Sequence, residues 1–262
     1  MCETSAPRFD EAALILGNQM VGPRLYVLSL QAPRMAGQVK PGQFVHLQIP
    51  GYEAHILRRP FSVLSVDASE GTLEILYQTV GEGTTFMTSL VAGQTTSILG
   101  PLGRGWDVLE GRSLVVGGGV GAAPVFMLTE QLLAAGYDPV VVLGAQSQQA
   151  MVTLERYRNL LGHDPILATD DGSLGIKGFC TLPVADLLSA GGIDRVYCCG
   201  PEPLMRSVAK LAEEAQVECW VSMERRMACG VGACLSCVVE TTQGKKRSCV
   251  DGPVFNAKDV VW

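Results

Sequence analysis

The chain has 262 residues, with 20 Lys and Arg against 26 Asp and Glu, for a formal net charge of −6. That length accommodates two ordinary domains and a small appendage, each with a buried core. The acidic balance excludes a nucleic-acid footprint, and the densest basic cluster, Lys245-Lys246-Arg247, reads as a solvated hairpin tip.

The first stretch, MCETSAPRFDEAALILGNQM, has neither a basic start nor an unbroken apolar run, and SLVVGGGVGAAPVFML is short and broken by glycine. Neither a targeting segment nor a membrane span is expected, and the chain reads as cytoplasmic. Nine cysteines are an odd number. With no secretion signal they point away from disulfides and toward metal ligation.

Residues 1–107 read as β-structure. RLYVLSL, QFVHLQI, FSVLSV, TLEILYQTV and TTSILG are short runs of β-branched and aromatic residues between glycine and proline turns, a spacing that predicts an antiparallel β-barrel. Within it Arg59-Pro60-Phe61-Ser62 offers a charged fork and a hydroxyl from an extended strand, a pair able to hold a phosphate. A plain surface arginine is the competing reading. Gly81-Glu82-Gly83-Thr84-Thr85 reads as a flexible, N–H-rich segment for the same group, and Gly100-Pro101-Leu102-Gly103 as a similar turn or a closure of the barrel.

From residue 108 to 218 the texture changes to βαβ alternation: SLVVGGG, a helix over APVFMLTEQLLAAG, DPVVVLGA, a helix over TLERYRNLLG, ILATD, a helix around VADLLSAG, RVYCCG, and a helix from Pro203 to Ala215. A parallel α/β sheet is predicted. Gly117, Gly118, Gly119 and Gly121 lie between strand and helix, where backbone N–H groups can receive a dinucleotide pyrophosphate, or where the chain simply turns. After the next strand, Gly144-Ala145-Gln146-Ser147 has no arginine for a 2′-phosphate, which tilts the expectation to NAD over NADP. Cys199, Gly200 and Pro201 end a later strand at the sheet's ligand-binding edge, with Glu202 opening the helix; Cys198 reads as core. Thr169-Asp170-Asp171-Gly172-Ser173 is a ligand loop or an Asx turn.

Residues 219–262 carry Cys229, Cys234 and Cys237 as C-x4-C-x2-C, with Cys249 following. This is the plant-type order of ligands for a [2Fe-2S] cluster. Small residues from Gly230 to Ala233 let the chain wrap such a group and aim N–H donors at sulfur. A four-cysteine zinc site or unliganded core thiols remain open on spacing alone.

In order along the chain, RPFS, LYQ with GEGT, GPLG, GGGVGAAP, TDDGS, CGPEP and the cysteine tail resemble the ferredoxin-reductase-like flavoproteins. SMERRMACGVGACLSC and CVDGPVF resemble, more narrowly, the electron-transfer subunits of class B dihydroorotate dehydrogenases. The resemblance implies an FAD-binding β-barrel, an NAD-binding α/β domain and a small C-terminal [2Fe-2S] module. It assigns FAD to Arg59, Pro60, Phe61 and Ser62 with Leu76, Tyr77, Gln78, Gly83 and Thr84, and the cluster to Cys229, Cys234, Cys237 and Cys249. It further implies an FMN-containing catalytic subunit as partner, two copies of each chain, with NAD as electron acceptor in pyrimidine biosynthesis; since a one-electron partner must bring its cofactor close to the cysteine tail, docking is expected over Met223 to Cys237. A ferredoxin:NAD(P) oxidoreductase of the sulfide-dehydrogenase type is the alternative; the family resemblance gives those proteins an aspartate where Cys229 stands.

Overall fold

Alternate burial of side chains organises the chain as far as Leu102. In the computed structural model, which describes residues 8–52 and 56–262, β1 (Phe9–Gly22), β2 (Leu25–Gln31), β3 (Phe44–Leu47), β4 (Arg59–Ser62), β5 (Ser65–Asp67), β6 (Thr72–Gln78) and β7 (Thr95–Leu102) form one antiparallel sheet. Cys2 and the start of the N-terminal stretch read above lie outside the described residues. The strand order is β4-β3-β7-β1-β2-β6-β5, so β4 and β5 are the edges. Curl brings the two ends together, with the Phe61 ring of β4 lying 6.0 Å from that of Tyr77 in β6.

The long strand β1 is absent from the runs read in the sequence. Its inward positions are Glu11, Ala13 and Ile15, an acid and a small residue before one large apolar group, so its alternation is weak in composition. Buried Glu11 is satisfied across the fold. Its carboxylate accepts from the backbone N–H groups of Arg34 (3.0 Å) and Met35 (2.8 Å) at the start of the short helix α1 (Pro33–Ala36), where unpaired donors favour a negative charge.

The segment expected to be flexible, Gly81 to Thr85, is instead ordered at a helical turn, α2 (Glu82–Met87). Thr84 Oγ1 accepts from the N–H groups of Val80 (2.8 Å), just before the segment, and Gly81 (3.1 Å), so both donors are already used.

The second sheet is built from β8 (Ser113–Gly118), β9 (Val140–Ala145), β10 (Ile166–Thr169), β11 (Ile176–Lys177), β12 (Arg195–Cys199) and β13 (Glu218–Ser222) in parallel, with the antiparallel strand β16 (Val254–Asn256) at one edge, in the order β11-β10-β9-β8-β12-β13-β16. Every residue of β8 is buried, as a strand covered on both faces requires. Helices α3 (Phe126–Ala134), α4 (Leu154–Leu161), α5 (Thr181–Ala190) and α6 (Glu202–Glu214) supply the cover. The period of two sends Cys198 into the core beneath α5 and α6, and Cys199 into the opposite core, where Leu64, Leu76 and Trp106 arrive from the first domain. Trp106 Nε1 donates to Pro124 O at 2.8 Å and its ring meets Tyr197 edge-on at 5.7 Å, which ties the two domains.

Beyond β13 the chain makes the cysteine loop, a hairpin of β14 (Val238–Thr241) and β15 (Gly244–Arg247), and then β16 (Val254–Asn256), antiparallel to β13. A division at 218/219 therefore falls inside a strand. Both β13 and β16 belong to the α/β sheet, and the cysteine loop is an excursion between them. Among the described residues no helix is long and apolar enough to cross a membrane.

Candidate functional site

The four cysteines of the tail come together as two pairs. Cys229 Sγ accepts from the backbone N–H groups of Cys234 and Val231, both at 3.4 Å. Cys237 and Cys249 are buried with thiols in contact, against Phe44 and Leu102 of the barrel. Burial first, then the neighbouring Cys237, pushes the Cys249 thiol up to about 12. Cys234, exposed at the loop surface, is drawn down to about 6 by the Ser236 hydroxyl and backbone and then by Cys229. No three of the described His, Cys, Asp and Glu side chains converge as ligands of a single ion. Two pairs suit a two-iron centre, in which bridging sulfides leave each iron two thiolate positions.

Backbone conformation makes this loop. Gly230 and Gly232 have φ of 70° and 86°, the left-handed region that costs other residues most, and the turns they permit direct N–H groups inward at sulfur. Gly232 N–H points to Cys249. Arg247, read from sequence as part of a solvated tip, is half-buried. It pairs with Asp251 at 3.1 Å and donates from Nη1 to Gly232 O at 3.2 Å, clamping the loop. The donor set, the inward amides and the buried pair fit a [2Fe-2S] cluster.

The GPLG turn does more than end the barrel. A Cβ placed on Gly103 falls 2.5 Å from Pro253 Cδ and 2.8 Å from Gly252 O, and Arg104 N–H donates to Gly252 O. Barrel and tail are thus seated backbone to backbone. Ser248 Oγ donates to Met223 O at 2.7 Å, holding the tail to the end of β13.

On the barrel, all four residues of β4 are half-buried. The Arg59 guanidinium crosses Gly83, where a Cβ would sit 3.0 Å from Nε, so the cation lies against the start of α2. Beside it opens a cleft of about 670 Å³ lined by Arg24, Tyr52, Thr79, Gly81, Thr85 and Phe86 among others. The Arg24 guanidinium and the aromatic rings of the cleft, with the Arg59 cation at its side, fit a flavin dinucleotide. Gln78 is exposed at the strand end, whereas Leu76 and Tyr77 are buried. The Tyr77 hydroxyl donates to Asn18 Oδ1 at 3.0 Å inside the barrel.

At the edge of the parallel sheet the glycine loop and the β12 loop meet. A Cβ on Gly121 falls 2.5 Å from Cys199 O, one on Gly118 2.3 Å from Leu204 Cδ2, and one on Gly117 2.8 Å from Ala122 Cα. Three glycines are therefore accounted for by close packing, and Gly119 is the one that opens to solvent. The loop enters a 3₁₀ turn over Gly119–Ala122 before α3 begins. Cys199 is enclosed, its thiol 4.0 Å from Ser222 O and held well above the usual thiol range by burial and then by the charge of Glu224. Glu202 pairs with Arg225 at 2.9 Å, joining helix α6 to the tail. Thr169 to Ser173 forms the Asx turn: Asp171 accepts from Ser173 N–H, and Ser173 Oγ accepts from Gln148 N–H, binding the loops after β9 and β10.

The sequence reading passed over His46. It lies on β3 under the cysteine loop, fully buried, with neither ring nitrogen bonded among the described residues. The signal that would have marked it is a polar residue within an apolar strand, F-V-H-L.

A curled antiparallel sheet, a parallel α/β sheet and a four-thiol loop define a ferredoxin-reductase-like oxidoreductase with an iron–sulfur module. The family model for the oxidoreductase FAD-binding domain matches residues 19–106, and that for the iron-sulfur cluster binding domain of dihydroorotate dehydrogenase B matches residues 224–261. The chain belongs to the family of dihydroorotate dehydrogenase B (NAD(+)) electron transfer subunits. The protein of that name from Fusobacterium nucleatum is 37% identical over 228 residues, 84% of this chain and 86% of that one. Its counterpart from Desulforamulus reducens is 36% identical over 256 residues, 95% and 97% of the two chains. Among solved structures, an NADH-dependent reduced ferredoxin-NADP oxidoreductase matches with a TM-score of 0.88 and 28% identity over 100% of this chain and 92% of that one. The ferredoxin reductase of carbazole 1,9a-dioxygenase matches at 0.68 with 17% identity over 82% and 68%, a likeness of fold.

Proposed function

We propose that this chain is the electron-transfer subunit of a dihydroorotate dehydrogenase, linking an FMN-bearing catalytic subunit to NAD+ in pyrimidine biosynthesis, in an assembly with two copies of each chain. The observation that carries the reading is the pairing of Cys229 with Cys234 and Cys237 with Cys249, seated directly on the barrel. When bound, the cluster carries single electrons and the flavin exchanges them for a hydride with the nicotinamide. The four thiolates hold the cluster, and the loop amides and Arg247 keep its wrap closed. Arg59, with Pro60, Phe61, Ser62, Gln78, Gly83 and Thr84, would hold the flavin, its guanidinium supplying the positive charge that the dinucleotide's phosphates need. Leu76 and Tyr77 support that strand from within. Gly119 receives the nicotinamide dinucleotide, while Gly117, Gly118, Gly121, Cys199, Gly200 and Pro201 form the packed floor of that site. The exposed apolar Leu235 and Val231 beside the thiols support docking of the partner across Met223 to Cys237.

The test is purification without oxygen, alone and with a catalytic subunit co-expressed. The isolated chain should carry about two irons and one FAD, reduce dyes with NADH, and fail to oxidise dihydroorotate. Dihydroorotate:NAD+ activity should need the co-eluting partner. Full activity from this chain alone would refute the division of labour, and failure to co-elute would favour the ferredoxin-linked reading that the 28% identical NADP oxidoreductase keeps in view.

A further inference from the structure

Strand β3 alternates as it crosses the barrel wall. Val45 and Leu47 enter the barrel core, whereas Phe44 faces outward and meets Leu102, Cys237 and Cys249. His46 shares that outward face by the period of two. Its ring is fully buried and both nitrogens lack a hydrogen-bond partner among the described residues, an arrangement that is costly for a polar ring and rare without a ligand. The ring edge faces the cysteine loop: a Cβ placed on Gly230 would lie 2.8 Å from His46 Nδ1 and 3.2 Å from Cε1. Gly230 immediately follows Cys229, and its missing side chain is what lets the imidazole lie directly beneath this turn of the cysteine loop. Burial, then the Arg58 and Arg59 cations, hold the imidazole down at about 4; an imidazole keeps at least one N–H to donate in either protonation state.

We infer that His46 is a positioning residue for the iron–sulfur centre, donating an imidazole N–H from beneath the Gly230 turn to the sulfur shell held by the four cysteines. The inference rests on the cluster assignment above. A centre carrying thiolate and sulfide charge is the acceptor chemistry next to the ring, and hydrogen bonds to such sulfurs raise the reduction potential because they favour the more negative, reduced state. His46 also pairs with Pro60 of β4 across the sheet, so the same residue couples the seating of the cluster to the flavin-facing strand.

The experiment is pulsed EPR on the reduced holoprotein labelled with 15N-histidine, in a background carrying His55→Gln and His163→Gln so that His46 is the labelled residue. A weak 15N coupling to the cluster is expected, absent from His46→Phe, which keeps the ring and removes its nitrogens. In His46→Phe the ratio of reduced to oxidised cluster at a fixed poise should fall about tenfold, equivalent to ~59 mV for one electron, at unchanged iron content. A normal cluster signal with no histidine coupling overturns the inference, as does a flavin potential that moves while the cluster's does not. Absence of iron or of any EPR signal in the wild-type protein would instead defeat the cluster assignment. If His46→Phe fails to fold, the labelled protein with native His46 still decides by presence or absence of the coupling.

Discussion

Two glycine-rich loops in this protein look alike in sequence and are built for different reasons. In GGGVGAAP, Gly117, Gly118 and Gly121 are small because other parts of the chain press on them, chiefly the β12 loop at Cys199 and Gly200 and the Leu204 side chain of α6. In ACGVGAC, Gly230 and Gly232 hold left-handed backbone conformations that turn N–H groups toward sulfur, and they are close-packed as well, against His46 and Val250. The first loop is a joint between two elements of one sheet. The second is a wrapping around four thiols. Changing residues in the first should therefore disturb stability and nucleotide affinity, and in the second iron content, with the flavin indifferent to both.

The largest effect is expected at the ligands. Cys249→Ser and Cys234→Ser should each abolish iron absorbance while FAD stays bound, since the flavin cleft shares no residue with the loop; loss of flavin with retention of iron would break the separation. Next is Gly121→Ala. Its Cβ meets backbone atoms of Cys199 at 2.5 and 2.6 Å, which cannot swing aside, so a destabilisation of about 1–3 kcal/mol is expected by chemical denaturation, with iron and flavin content unaffected in the folded protein. Gly118→Ala meets the movable end of Leu204 and should cost less.

Arg59→Ala sharpens the boundary from the barrel side. Flavin retention through dialysis should weaken about tenfold, a loss in the range of a hydrogen bond to a charged group, with iron content preserved; unchanged flavin occupancy would make Arg59 an ordinary surface cation. The smallest effect should come from Arg247→Gln. Its pair with Asp251 is partly exposed and screened, so the thermal midpoint should barely move, yet loss of the donor to Gly232 O should speed iron release to a chelator a few-fold. A large fall in midpoint with normal iron release would assign Arg247 to the hairpin rather than the loop.

The difference between those loops also marks what could be read in the residues. The C-x4-C-x2-C spacing is local, and the small residues between the thiols dictate how the chain turns there, so ligands and loop were legible together. β8 and β9 were legible because strands covered on both faces must be continuously apolar. β1 was not, because its inward face begins with Glu11, whose burial is compensated by the N–H groups of Arg34 and Met35 more than twenty residues away. The Gly81 to Thr85 segment was read as flexible because glycine suggests mobility, whereas the Thr84 hydroxyl closes it into a helical turn.

From the order of residues alone came the three modules, the four thiols and the arginine strand, since each depends on near neighbours and on a period of two or 3.6. Folding decided the rest. It returned β16 to the α/β sheet, pressed Gly103 onto Pro253, turned Arg247 from a presumed hairpin tip into a clamp, and set His46 under Gly230 across 184 positions of chain. Contacts between residues so far apart leave no local spacing to detect, because it is the packing of whole sheets, and no single run of side chains, that brings them within reach.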